Sequence, residues 1–233
     1  MNSRGISKMR FMFTAGFFLF LIACATQACW TEYNSIGMIH DAKRLTPENF
    51  QWIIDQYSSD FYKGFETQIP DSSDRKTLIP VILDDSRQAI RAFSSEMAYR
   101  RGAGFLGRIA RYVNELHGML QHPDRLSDPH WSTDYAIFLQ KKREFFRIRW
   151  AGIDQRPRTI QQLETLLAES TRRMDRVSEI LTETLNRENR GIASYDTRSA
   201  PFGVGSIAYS SAVSTMAMTW MYIWDQAGGI SEP

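Results

Sequence analysis

Cysteine and histidine are nearly missing from this chain of 233 residues, which has two cysteines, Cys24 and Cys29, and four histidines, His40, His117, His122 and His130. The cysteines stand close together near the N-terminus, so no disulfide can staple the fold and the core must hold itself together. Strand-type alternation is scarce and no internal repeat is visible, which points away from sandwiches, barrels and solenoids. The G-x-S-x-G elbow of serine hydrolases is absent too. The serines of "GVGSIAYSSAVS", Gly203 to Ser214, follow no strand pattern, and every histidine lies far upstream. Small residues for close helix packing account for that stretch better than a nucleophile does.

What is present is ordinary for a globular protein, 43% hydrophobic and 23% charged, and intrinsic disorder is excluded as the default. The length allows one domain with a real core. Residues 1–23 differ in kind: Arg4, Lys8 and Arg10 precede the uncharged apolar run "FMFTAGFFLFLIA", Phe11 to Ala23. That is a secretory signal pattern, too short for a comfortable membrane span. It ends in "LIAC", Leu21 to Cys24, which resembles the bacterial lipobox, with Cys24 as lipid acceptor and new N-terminus; simple cleavage at Ala25 or nearer Trp30 is the rival. The expected organisation is a lipoprotein-type signal peptide over 1–23, an N-terminal segment over 24–45 and a helical domain over 46–233. The expected location is the bacterial periplasm or cell envelope, anchored to the membrane by lipid.

Arg4, Lys8 and Arg10 are the only charged residues among the first 23, so removing that stretch takes the formal net charge from +2 to −1. With no basic stripe interleaved with aromatics, electrostatic capture of nucleic acid has no support.

Helical periodicity dominates the remainder. Thr46-Pro47-Glu48 reads as a helix start, followed by Phe50, Ile53, Ile54, Tyr57 and Phe61 as far as Gly64. Residues 65–76 read as a loop. Two further helical runs, Leu78 to Tyr99 and Gly102 to Leu120, are expected on either side of a break at "RRGAG". Trp131 to Trp150 and Thr159 to Asn186 carry helical spacing again. The closing stretch "IAYSSAVSTMAMTWMYIWDQAGG" is apolar on nearly every side, as a central helix would be, with Gly228-Gly229 as its cap. The expected class is an all-α, single multi-helix bundle.

Three histidines and several carboxylates crowd into "RYVNELHGMLQHPDRLSDPHWSTDY", Arg111 to Tyr135. His130 and Asp134 are four residues apart, one turn up a helix face, the spacing from which bundle metal sites are built. Arg111 and Glu115 share that spacing, but a guanidinium cannot ligate. Singly, each polar residue also has an ordinary explanation as a turn, cap or surface side chain.

Taken in order, these features resemble the zinc-dependent phospholipase C and S1/P1 nuclease superfamily, all-helical exported phosphoesterases. The resemblance rests on Trp30 and then His40; on "KGFETQIPD" ending at Asp71; on "RYVNELHGMLQ"; on "HWSTD"; and on the closing helix ending in tryptophan and glycine. It implies zinc, one or two ions, held by Trp30, His40 and Glu115 and by His130, Asp134 and His122, with Asp71 as the carboxylate near the nucleophilic water. The chain departs from the pattern at Arg111, where the family has histidine, at Gln121, with His122 one position off, and after Asp71, where "SSDRKTLIPVILDD" contains no histidine. An Arg111 to Glu115 pair, with Asp71, could replace one metal electrostatically. The implied activity is metal-assisted phosphoester hydrolysis, phospholipid being the favoured substrate over nucleic acid. The alternative is a non-catalytic envelope lipoprotein on the same helical fold.

Overall fold

A computed structural model describes residues 30–69, 74–95, 97–120, 123–150 and 152–229. Eight α-helices occur among them: α1 Glu32–Arg44, α2 Glu48–Gln56, α3 Ser58–Phe65, α4 Leu78–Ser94, α5 Tyr99–Leu116, α6 Trp131–Lys142, α7 Ile160–Glu188 and α8 Ala200–Gln226. No strand occurs among the described residues, so the all-α class expected from the periodicity is what the chain adopts. Among these residues no helix is long and apolar enough to cross a membrane. The signal-type stretch and Cys24 lie outside the described residues.

The closing helix α8 is the hub. It is buried on nearly every side and packs against α1, α4, α5, α6 and α7. Ser199 opens it, its hydroxyl accepting from the Phe202 amide, with Pro201 in the first turn, where a missing N–H costs nothing. At its other end Gly228, at φ 81°, turns the chain so that the Gly229 amide reaches the Trp224 carbonyl. The fully buried Trp220 ring meets Phe50 at 6.2 Å and Phe61 at 5.8 Å, joining α2 and α3 to the hub. Burial of a side chain this large contributes roughly 3 kcal/mol or more.

The structure departs from the sequence reading at several boundaries: the helix expected over Trp131 to Trp150 ends at Lys142, the one expected to reach Leu120 ends at Leu116, and three more differences lie upstream. Thr46 does not open a helix; its hydroxyl donates to the Lys43 carbonyl at 2.6 Å and closes α1, while the next helix is entered at Pro47. The single helix expected from Glu48 to Gly64 breaks at Tyr57 into α2 and α3. "RRGAG" lies inside α5, and the helix break falls earlier, between Ser94 and Tyr99. The neighbouring Gly107, with Gly64 of α3, serves packing: a Cβ on Gly107 would run into the Phe61 carbonyl, and one on Gly64 into the Gly104 carbonyl, so α3 and α5 cross backbone to backbone.

The end of α5 leaves carbonyls that the helix itself cannot satisfy. Side chains take up these carbonyls, the His117 ring adding to the bond that its own amide makes to Val113. The Val113 carbonyl accepts from the His117 ring at 2.7 Å, Leu116 from the buried Arg75 guanidinium at 2.8 Å, and His117 from the Trp30 indole at 3.1 Å. Trp30 is itself buried, edge-on to Tyr209 of α8, so the start of the described chain is tied to the bundle centre.

Candidate functional site

Between α7, α8 and the segment after α6 lies an open cavity of about 670 Å³. The segment "FRIRW", Phe146 to Trp150, leaves the helical path after a short turn; Phe146 is extended, the residues after it are neither helix nor strand, and burial alternates along them. Successive side chains of an extended chain point to opposite faces. Phe146, Ile148 and Trp150 pack on the core, Phe146 lying 4.9 Å from the Tyr209 ring, while Arg147 and Arg149 are exposed and line the cavity. An extended backbone needs partners for its polar groups. Two serines one turn apart on α8 supply them: the Arg149 amide donates to Ser210 Oγ at 2.8 Å, and Ser214 Oγ donates to the Arg149 carbonyl at 3.0 Å.

Arg173 of α7 lines the same cavity, as does Glu169, its one carboxylate. Among the described residues none of the guanidiniums of Arg147, Arg149 and Arg173 is closed in an ion pair. Leu166, Ile207 and Met218 give the lining an apolar part, and Ser170, Ser206, Ser211 and Thr215 add hydroxyls.

At the inner side of this lining sits His117, fully buried. Its Nδ1 faces the Val113 carbonyl, which can only accept, so Nδ1 carries the ring proton. Burial takes its pKa down to about 4, and the charges of Arg75 and Arg173 push the same way against the helping Val113 bond. The ring is therefore neutral and Nε2 is a bare acceptor, 2.6 Å from Ser170 Oγ. The shorter contact gives Nε2 the Ser170 proton, which leaves Ser170 Oγ to accept from its neighbours: Ser211 Oγ and Thr215 Oγ1 lie 3.2 Å from it, Thr215 Oγ1 also lying 3.4 Å from Nε2. A histidine titrating so low is a poor general base at neutral pH. The pair fixes the direction of a hydroxyl network rather than activating a nucleophile.

The residues singled out for zinc are placed as follows. Trp30 is buried with its indole on His117; His40 is exposed on α1; His130 and Asp134 are exposed at the start of α6, the His130 amide donating to Asp128 at 2.9 Å. Glu115 is half-buried on α5. Burial raises its pKa, an effect moderated by Arg111 and Arg75. Arg111 lies over the Phe65 ring, 5.8 Å from its centroid, and among the described residues no ion pair joins it to Glu115. Asp71, His122 and Cys24 lie outside the described residues. Among the described residues no three His, Cys, Asp or Glu side chains converge as a metal ion requires.

Sequence reasoning missed Arg147, Arg149 and Arg173. The signal was there in "FRIRW", a strict period of two, but helical spacing on both sides hid it. Ser206, Ser210 and Ser214 likewise recur every fourth residue, a polar stripe on an otherwise apolar helix.

No family model, no curated protein and no solved structure matches the chain. What the structure defines is an all-α protein with an arginine-lined and hydroxyl-lined cavity beside its central helix.

Proposed function

We propose that this chain is an exported, lipid-anchored binding protein whose cavity holds an anionic small molecule. One observation carries the reading: three guanidiniums and a single carboxylate share a cavity of about 670 Å³, with none of the three closed in an ion pair among the described residues. Arginine's planar fork suits carboxylate and phosphoryl oxygens, and the exposed position of all three leaves them free to turn toward a ligand. The volume is that of a pocket for a small organic molecule.

The test is titration of purified protein with inorganic phosphate, sulfate and citrate, followed by calorimetry at low and at raised salt. Binding that weakens with salt, and that falls about tenfold in Arg149→Gln or Arg173→Gln, supports the reading. Absence of heat for all three anions at millimolar concentration overturns it.

The zinc-dependent phosphoester hydrolysis implied by the sequence resemblance would draw on Glu115, His130 and Asp134 together with Asp71 and His122. Metal analysis of protein purified without chelator or metal-affinity tag separates the two functions. Stoichiometric zinc with phosphodiesterase activity would replace the binding reading. For the anchor, Cys24→Ser should release the protein from membranes; unchanged fractionation argues for simple cleavage.

A further inference from the structure

The cavity is lined by two chemically different kinds of group. Arg147, Arg149 and Arg173 can only donate hydrogen bonds and carry three positive charges, which Glu169 offsets by one. An excess of two positive charges is best met by a dianion. A phosphate monoester carries about −1.5 to −2 near neutral pH, whereas a single carboxylate or sulfate ester carries one negative charge.

The hydroxyls of the lining can also accept. Because the His117 Nδ1 proton is committed to the Val113 carbonyl, the Ser170 proton is drawn to Nε2 and the Ser211 proton to Ser170. Each hydroxyl in this chain commits its hydrogen toward His117. Ser211, half-buried and on the cavity lining, is left with lone pairs to offer a ligand. Hydrogen bonds in such a chain polarise one another, so reversing Ser211 would strip Ser170 of a partner. An alkyl group placed there leaves the acceptor unsatisfied, whereas a ligand hydroxyl satisfies it. A cavity of about 670 Å³ also exceeds what a bare phosphate fills.

We infer that the cavity takes an organic phosphate monoester bearing hydroxyl groups, its phosphoryl end on Arg147, Arg149 and Arg173 and one of its hydroxyls donating to Ser211. This rests on the anion-binding reading above and adds a ligand class to it.

Two matched pairs test the inference by calorimetry: glycerol 3-phosphate against propyl phosphate, and glucose 6-phosphate against cyclohexylmethyl phosphate. Members of a pair share the phosphoryl group and differ in their hydroxyls. In at least one pair the hydroxylated member should bind about tenfold more tightly. Ser211→Ala should erase that difference while leaving the alkyl phosphates unchanged, with unfolding temperature and helical content confirming that the variant is folded. If affinities within both pairs agree to about twofold, the hydroxyl inference fails and anion binding stands. If sulfate or citrate binds and none of the four monoesters does, the ligand class is wrong. If nothing anionic binds, both readings fall together.

Discussion

His117 Nε2 lies 2.6 Å from Ser170 Oγ, joining the end of α5 to the middle of α7 inside a fully buried environment. The contact gives the buried ring its second partner, the Val113 carbonyl being the first. A buried imidazole with both nitrogens satisfied is compatible with the core only while neutral.

That neutrality makes folding sensitive to acid. The ring's pKa falls from 6.5 to about 4 on folding, so below 6.5 the unfolded chain binds a proton that the folded chain refuses. The contribution is complete above 6.5 and is lost as the pH falls toward 4. Its slope is about 1.4 kcal/mol per pH unit, and the whole loss amounts to roughly 3 kcal/mol. Urea unfolding of the wild type and of His117→Gln across this interval should show the steeper decline in the wild type. Parallel curves would mean that His117 is already charged in the folded protein.

Two glycines on α5 should respond oppositely to alanine. Gly107 faces the Phe61 and Phe65 backbone of α3, which has no room to yield, so Gly107→Ala should cost about 3 kcal/mol or more. Gly104 has only the Asp60 carbonyl near its missing Cβ, at 3.6 Å, an ordinary contact. There the better helix propensity of alanine should stabilise by up to about 1 kcal/mol. Thermal unfolding of the two variants measures the contrast, and equal destabilisation would show that α3 and α5 can slide apart.

The same glycines show where the sequence was legible and where it was not. Helical class, the central role of the closing helix and its glycine cap could all be read, because apolar periodicity and capping chemistry are local. The break expected at "RRGAG" falls earlier, because a glycine such as Gly102, which makes room for the Phe93 ring, looks in one dimension like a glycine that ends a helix. "RYVNELHGML" was read as a place for metal ligands. That reading rests on Glu115; what the stretch alone does not reveal is that its His117 and the Val113 and Leu116 carbonyls take part in side-chain capping at the end of α5, which depends on Trp30 and Arg75 far away in sequence. The arginines of the cavity were hidden for a related reason: their convergence is made by an extended segment lying across α8, a tertiary event with only a five-residue trace.

Glu115 offers a test that separates a buried carboxylate from a metal ligand. Burial raises its pKa, so at neutral pH the folded state holds a charge that it disfavours, and this cost is relieved as acid protonates the group. Glu115→Gln keeps the shape and removes the charge. It should raise the unfolding temperature near neutral pH and have a smaller effect near pH 4. A zinc ligand would behave in the reverse way: the variant would be less stable at neutral pH and would lose any response to chelator.

Arg149 and Ser214 allow charge and position to be told apart in the cavity. Ser214 and Ser210 hold the Arg149 backbone from both sides and carry no charge. Replacing both serines by alanine removes the clamp but keeps all three guanidiniums. Anion affinity should then fall by about three- to tenfold, with the wild-type dependence on salt retained. Arg149→Gln should also lower affinity, but with a shallower salt dependence, since one interacting charge is gone. Thermal shifts in phosphate provide the readout, because a ligand bound only by the folded chain stabilises by about 2.7 kcal/mol at one hundred times its dissociation constant. If the serine pair changes nothing while Arg149→Gln weakens binding, Arg149 reaches the ligand through its long side chain alone and the extended segment needs no fixed backbone.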